Sequence, residues 1–390
     1  MTSLAKNRIN SIDLLKGLVM IIMALDHTRD YFHAPAYIFD PADPTQTTLP
    51  IFFTRWITHF CAPAFSFLAG LSAFMVGKRK TLQQLSSFLL TRGLWLIFIE
   101  LTIVNFAWYF DIQFRTFGLL VIWSLGVSMI VLSALVHLPK KFILLFSCLL
   151  IFGHNLLDGI HSTGGLFWGI IHEQMFYKLS DHIQLLIGYP IVPWIAVMPL
   201  GYYVGSFYDQ PFDSMRRRKI FNIIGIAAIT LFIILRWTNV YGDSQPSKHY
   251  DTVSKDLISF LNPSKYPPSL LYLLMTLGVT FLFLANAEKL KGRAVNFFST
   301  FGRVPFFYYI LHLYLIHIVA MIFAKLSGFG WGKLILSTWI GFDPSVRGYG
   351  FPLWVVYLVW IGVILLLYPL CKMFDNYKQK HKEKRWLSYL

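Results

Sequence analysis

Apolar segments of about 20 residues alternate with short polar connections along the whole chain, and each could cross a bilayer as a helix. The first segment lacks a small-residue cleavage site, so it predicts a retained helix and not a removed signal peptide. The pattern predicts an all-α, polytopic integral membrane protein with about ten transmembrane helices. We expect these helices at residues 11–32, 51–77, 86–110, 117–138, 141–158, 188–208, 218–237, 269–288, 300–325 and 351–372.

Clusters of basic residues fall in every second connection between the apolar segments, and the other connections carry few lysines or arginines. The clusters are Lys6 and Arg8, Lys78 to Lys80, Lys140 and Lys141, Arg216 to Lys219, Lys289 to Arg293, and Lys372 to Arg385. This is the positive-inside pattern, so these connections and both termini are predicted to be cytoplasmic. We expect one transmembrane domain over residues 1–390, with a short basic tail at 373–390, in the plasma membrane or bacterial inner membrane.

The composition excludes several other classes of protein. Hydrophobic residues make up 56% and charged residues 14% of the chain, against about 25% charged in soluble proteins. The net charge of +15 does not indicate nucleic-acid binding, because the sequence shows no basic surface with interleaved aromatics outside these short connections. The three cysteines form no disulfide framework, and the sequence contains no HExxH or CxxC motif, so no metal is expected.

The first helix carries ionisable residues at both ends of its apolar run. Lys16 and His27 are eleven residues apart, about three helical turns, so they share one face and lie about 16 Å apart along the axis. Asp13 can pair with Lys16 one turn away. One interpretation is that Lys16 reaches the cytoplasmic surface and His27 ends the helix; the other is that both line a functional site.

Ionisable residues in other helices favour a functional site, because such groups are costly in a membrane and normally face a protein interior. They are Arg55, His59, Arg92, Glu100, Arg303, His312 and His317. Structural alternatives remain for three of them: Glu100 could pair with an arginine, and His312 and His317 could each be a hydrogen-bonded core histidine. Asp26 lies on a different face of the helix from its neighbour His27. Asp13, Glu100 or Asp30 is therefore a better candidate for the carboxylate that orients the His27 imidazole.

Three segments resemble a known family. They are "RINSIDLLKGLVMIIMALDHTRDYFHA", "KYPPSLLYLLMTLG" and "GRVPFFYYILHLYLIH". Together they resemble the heparan-α-glucosaminide N-acetyltransferase-like membrane proteins and their bacterial members, over nearly the whole chain. The spacing of Lys16 and His27 also resembles the Arg/Lys-x10-His motif of the related acyltransferase family 3.

The resemblance implies transfer of an acyl group, typically acetyl from cytosolic acetyl-CoA, to a sugar-type acceptor across the membrane. In acyltransferase family 3 the essential histidine matches His27, whereas in the lysosomal enzyme the functional histidine is best matched by His33. Both remain candidates for a general base or acyl carrier.

The other predicted site residues divide into three groups. Asp26, Asp13 and Glu100 are catalytic candidates beside the two histidines; Arg55, His59, His312 and His317 are substrate-binding candidates; Lys16, Arg92 and Arg303 are candidates for binding the phosphates of CoA. The expected partners are membrane lipid, acyl-CoA and a glycan or lipid-linked sugar, and the sequence leaves the oligomeric state open, a homo-oligomer included. The alternative function is a transporter of a small anionic or sugar-like solute, although no internal repeat supports it.

Overall fold

The computed structural model describes residues 10–160, 165–209 and 212–388. The predicted basic residues Lys6 and Arg8 lie outside these ranges. The protein is mostly helical (71%) with little sheet. Seven helical segments in the described ranges are long and apolar enough to cross a membrane, and the chain is a multi-pass membrane protein.

The helices follow one another along the chain with few long connections. The first eight are α1 Asn10–Phe32, α2 Leu49–Trp56, α3 Cys61–Gly77, α4 Leu82–Ile99, α5 Asn105–Tyr109, α6 Val121–Leu135, α7 Lys140–Gly153 and α8 Leu166–Ile171. The remaining seven are α9 Trp194–Gly205, α10 Ser214–Thr238, α11 Val253–Leu261, α12 Leu270–Asn286, α13 Arg293–Arg303, α14 Pro305–Leu326 and α15 Leu353–Lys380.

Helical irregularities interrupt two of the predicted spans without ending them. A 3-10 turn, Ile57–Phe60, joins α2 to α3, and a π-helical turn, Glu100–Val104, joins α4 to α5. Such turns shift the direction of the side chains they carry, and π-helical turns are frequent at functional sites. They carry the predicted site residues His59 and Glu100.

The predicted span at 300–325 is wrong as a single helix. Its first part belongs to α13, which ends at Arg303, and α14 begins at Pro305. Val304 between them leaves the helical conformation, with φ −132° and ψ 50°. Proline disfavours the α conformation in the preceding residue but is well suited to the first turn of a new helix.

Two other predicted helices begin later than expected because short strands precede them. The strands are β1 Thr116–Leu119, β2 Met175–Lys178 and β3 Gln184–Ile187, in the order β1–β3–β2. β1 and β3 are parallel, with Thr116 opposite Gln184. Helix α6 therefore begins at Val121 and α9 at Trp194, instead of 117 and 188. Short apolar runs of this kind do not distinguish a strand from a buried helix by periodicity.

Helix α1 lies at the centre of the bundle, and most of its residues are buried. It contacts α3, α12, α13, α14 and α15. Close backbone approach requires glycine at Gly17, where a Cβ would lie 1.8 Å from the carbonyl oxygen of Phe298 in α13. The polar residues of α1 therefore face protein, which is the usual environment of ionisable groups within a membrane.

Four of the predicted basic clusters meet at one end of the bundle, where α1 begins. Lys78 pairs with Asp209 (2.6 Å), Lys140 lies over the ring of Phe74 (4.9 Å to its centre), and Arg217 pairs with Glu288 (2.8 Å). We call this end the basic face, and the opposite end, where α1 ends at Phe32, the histidine face.

Candidate active site

His27 and His312 form a direct hydrogen bond in the interior of the bundle. His27 Nδ1 lies 2.8 Å from His312 Nε2, and the two ring planes differ by only 5°. Both side chains are buried. We expected a carboxylate to orient His27, but its partner is a second histidine, 285 residues away along the chain.

The backbone of α14 determines how protons are arranged in this pair. His312 Nδ1 lies 2.9 Å from the carbonyl oxygen of Tyr308. A carbonyl only accepts, so His312 Nδ1 carries the hydrogen, and the Nε2 of neutral His312 must accept. His27 therefore donates from Nδ1, which leaves its Nε2 with a lone pair. In the described part of the chain, this Nε2 has no hydrogen-bond partner.

Aromatic side chains fix both rings. Trp108 contacts His27 edge-on, with ring centres 4.8 Å apart, and Tyr309 contacts it at 6.3 Å. Tyr308 stacks on His312 at 5.0 Å. Because an aromatic wall restricts each imidazole, the hydrogen bond between His27 and His312 is held in one geometry.

Beside His27, Asp26 is bound by two arginines. Arg55 from α2 donates to Asp26 Oδ2, and Arg29 Nη2 donates to Asp26 Oδ1 (3.2 Å). Arg29 also donates to Asp30 Oδ1 (2.6 Å). Asp26 therefore links Arg55 of α2 to the last turns of α1 through hydrogen bonds between charged groups.

A narrow pocket of about 40 Å³ opens beside the histidine pair. It is lined by Met23, Asp26, His27, Thr58, Cys61, Ala62, Val121, Tyr189 and Lys265. Sequence reasoning missed Lys265 and Tyr189 as site residues. Lys265 opens the "KYPPSLLYLLMTLG" segment, so that segment was the signal that could have identified it.

The turn that carries Lys265 is held by three side chains from two other parts of the fold. Asp243 accepts from the backbone N–H of Ser264 (3.0 Å), His154 Nε2 donates to the carbonyl oxygen of Pro268 (2.8 Å), and Asn155 accepts from the N–H of Leu270 (2.8 Å). The ammonium group of Lys265 is thus attached to a backbone that is fixed before any ligand binds.

Asp243 also anchors the long loop on this face to Arg236. The buried Arg236 donates to Asp243 (3.0 Å) and to four backbone carbonyls, those of Gln245, Ser259, Phe260 and Asn262. Burial raises the pKa of Asp243 to about 6. A polar cavity of about 270 Å³ lies under this loop.

Two further predicted histidines lie near the site but do not contact His27. His59 is buried, its Nδ1 has no hydrogen-bond partner within the described residues, and its ring contacts Tyr272. His33 follows α1 directly and pairs its backbone with Phe351. Burial and the nearby charge of Arg29 lower the pKa of His33 to about 4, so this histidine is neutral at physiological pH.

Three other predicted site residues lie elsewhere. Asp13 is fourteen residues before His27 in the same helix, about 21 Å away, and cannot orient it. Glu100 accepts from the backbone N–H of Trp123 (3.0 Å) in the first turn of α6, where a carboxylate stabilises a helix N-terminus. His317 lies between the carbonyl oxygens of Ala107 (2.9 Å) and Leu334 (2.8 Å).

A second, mainly apolar cavity of about 140 Å³ lies towards the basic face. Lys16 and Arg92 line it, and Lys16 Nζ donates to Ser72 (2.6 Å). Arg303 is not among the lining residues; its guanidinium pairs with Asp375 (2.5 Å). Two of the three predicted cofactor-binding residues therefore share a cavity, and the third joins α13 to α15.

Both cavities lie along the same seam of α1, α3 and α6. Lys16, Phe65 and Ile122 line the cavity near the basic face, whereas His27, Ala62 and Val121 line the pocket near the histidine face. The separation of Lys16 and His27 along α1 is about 16 Å. The fold thus places a cationic cavity and a histidine pocket in line through the bundle.

Within residues 10–160, 165–209 and 212–388, no group of three or more His, Cys, Asp or Glu side chains could hold a metal ion. A family model described as "Heparan-alpha-glucosaminide N-acetyltransferase, catalytic" matches residues 8–238. That range includes α1 to α10, the cavity residues Lys16 and Arg92, and His27, but neither Lys265 nor His312. The comparison with curated proteins returned no match.

Proposed function

Because this chain belongs to the heparan-alpha-glucosaminide N-acetyltransferase family, we propose that it transfers an acetyl group from acetyl-CoA to an amino or hydroxyl group of a sugar. The donor binds from the basic face, and the acceptor, a glycan or lipid-linked sugar, enters from the histidine face. The whole chain acts as one transmembrane domain in the plasma or inner membrane, with the basic face and both termini towards the cytosol.

The observation that carries this proposal is the lone pair on Nε2 of His27. The hydrogen bond to His312 uses Nδ1 of His27, so Nε2 is the nitrogen that can take a proton. An imidazole is a suitable general base for an amine or hydroxyl near neutral pH. The pocket lined by His27 and Thr58 supplies a protected place for that proton transfer.

The reaction forms one bond to the acetyl carbon and breaks another. The acceptor nitrogen or oxygen attacks the thioester carbonyl while His27 Nε2 takes the acceptor's proton. The tetrahedral intermediate collapses, the carbon–sulfur bond breaks, and the leaving thiolate receives the proton from His27. As the imidazole becomes positive, the hydrogen bond from its Nδ1–H to His312 strengthens, which stabilises the transition state.

The cavity near the basic face suits the donor. Lys16 and Arg92 provide positive charge for phosphate groups, and the apolar wall between them and His27 suits the extended pantetheine arm. In this proposal Arg303 does not bind the donor; its ion pair with Asp375 joins α13 to α15. The pocket of about 40 Å³ beside His27 fits a small acyl group such as acetyl.

The test uses purified protein reconstituted in liposomes, with labelled acetyl-CoA outside and a panel of amino sugars and glycans inside. We expect labelled acceptor together with one equivalent of free CoA thiol. His27→Ala should abolish both products, while His33→Ala should retain transfer because the pocket residues do not include His33. Full activity in His27→Ala contradicts the assignment. Uptake of solute without release of CoA thiol would instead indicate transport.

A further inference from the structure

We propose that Lys265 is a specificity-determining residue that selects acceptors with a negative charge beside the acetylated position, such as a sugar sulfate, phosphate or carboxylate. This inference rests on the proposed acetyl transfer. Lys265 lies outside residues 8–238, so the match to the family does not include it.

The charges around the histidine pocket do not balance without a ligand. Arg29 and Arg55 carry two positive charges, and they are paired with the two negative charges of Asp26 and Asp30. Lys265 adds a third positive charge in the same pocket. The five groups therefore leave a formal charge of one positive unit next to His27.

Lys265 is the cation of this group that is available to a ligand. The carboxylates of Asp26 and Asp30 are occupied by guanidinium groups, and within the described residues Lys265 has no salt bridge to any carboxylate. Its ammonium lies 5.2 Å from the ring centre of Tyr266. Asp26 lines the same pocket, but its two oxygens already accept from Arg55 and Arg29, so the partly buried ammonium gains a direct ion pair when an anionic ligand binds.

The positive charge of Lys265 affects the neighbouring Tyr266. Burial acts to raise the pKa of the Tyr266 phenol, but the charges of Lys265 and Arg55 together hold that pKa below its usual value. Tyr266 thus indicates a positive potential at the edge of the pocket. A preorganised cation in a site with little water binds an anion more strongly than the same cation on a surface.

The geometry favours an acceptor role for Lys265 over a donor role. Lys265 lies with His27 and Tyr189 near the histidine face, whereas the cations for the donor phosphates, Lys16 and Arg92, lie in the cavity towards the basic face. An acidic group on the acceptor next to its amine or hydroxyl would contact Lys265 while the reacting group faces His27.

The experiment compares two acceptors that differ by one charge. Glucosamine 3-sulfate, whose sulfate lies on the carbon next to the amine, and glucosamine are offered with acetyl-CoA to reconstituted wild-type protein, Lys265→Met and Lys265→Arg. We expect Lys265→Met to lower kcat/KM for the sulfated acceptor by about 10- to 150-fold, the range of one hydrogen bond to a charged group. The variant should change kcat/KM for glucosamine far less, and Lys265→Arg should recover most of the preference. Glucuronate against glucose repeats the comparison with a carboxylate.

The matched control is Lys255→Met. Lys255 lies in the same part of the chain but pairs with Asp251 (2.9 Å), away from the pocket residues, so both acceptors should be unaffected. Equal losses for charged and uncharged acceptors in Lys265→Met would overturn the inference and assign Lys265 to the reaction step itself. Wild-type protein without preference for charged acceptors also overturns it, while acetyl transfer as such remains supported. Release of no CoA thiol with any acceptor would instead reject the proposed function.

Discussion

Replacing His312 with alanine is expected to lower kcat by about 10- to 150-fold, with little change in the KM for acetyl-CoA. His312 is a positioning residue, since it acts on the acceptor only through His27. The variant removes the hydrogen-bond acceptor for His27 Nδ1 and leaves that N–H buried. The donor cavity does not include His312, so binding of acetyl-CoA should persist.

The magnitude follows from the geometry of the bond. The 2.8 Å separation of the two nitrogens indicates a hydrogen bond of ordinary length, and the two ring planes are nearly parallel. When His27 becomes an imidazolium in the reaction, the bond is one to a charged group, worth about 1.5–3 kcal/mol. At about 1.4 kcal/mol for each factor of ten, its loss slows the reaction by about 10- to 150-fold.

The assay measures initial rates of CoA release against acetyl-CoA concentration in reconstituted protein, corrected for the folded fraction. His317→Ala is the matched control, because His317 is a buried histidine five residues further along α14 that bonds only backbone carbonyls. His312→Gln is the conservative variant, since its side-chain carbonyl can accept from His27 and should recover part of kcat.

Two results would refute the reasoning. One is an unchanged kcat in His312→Ala. The other is an equal loss of kcat per folded protein in His312→Ala and His317→Ala, because a shared loss would reflect damage to α14 and not the orientation of His27.

Three further predictions concern stability. Burial lowers the pKa of His33 from 6.5 to about 4, so the unfolded state binds more protons than the folded state between these pH values. The neutral histidine therefore contributes at most about 3 kcal/mol to the free energy of unfolding above pH 6.5, and this contribution is lost as the pH falls through 4. We expect His33→Gln to reduce the drop in melting temperature between pH 7 and pH 5. Arg55→Met should destabilise the protein by about 3–5 kcal/mol because Asp26 loses one of its partners. In a denaturant titration, the double variant Arg55→Met with Asp26→Asn should recover stability, and a double variant as unstable as Arg55→Met contradicts this prediction. Gly70→Ala should lower the melting temperature, because its Cβ would lie 1.8 Å from the carbonyl oxygen of Met198; an unchanged melting temperature would show that the two helices separate without cost.

The apolar pattern determined the class of fold and the approximate position of most helices. Two examples are the segment predicted at 141–158, which is found at Lys140–Leu157, and the segment predicted at 269–288, which is found at Leu270–Lys289. A bilayer requires a fixed length of apolar helix, so the signal is contained within each segment. The break at Val304 was not predicted as such, although Pro305 is visible in the sequence, because proline is also tolerated within membrane helices.

The sequence by itself also predicted His27 as a candidate site residue, together with the face that it shares with Lys16, because the positions within one helix follow from its 3.6-residue period. Only the tertiary structure decided which partners these residues have. His312 and Lys265 lie far from His27 along the chain, and their positions beside His27 depend on how α14 and the turn before α12 pack around α1. Glu100 and His317 had the same chemical signature as His27 in the sequence, yet packing directs them to backbone groups instead. A buried polar group must find a partner, but the sequence does not specify whether that partner is the backbone, another side chain or a substrate.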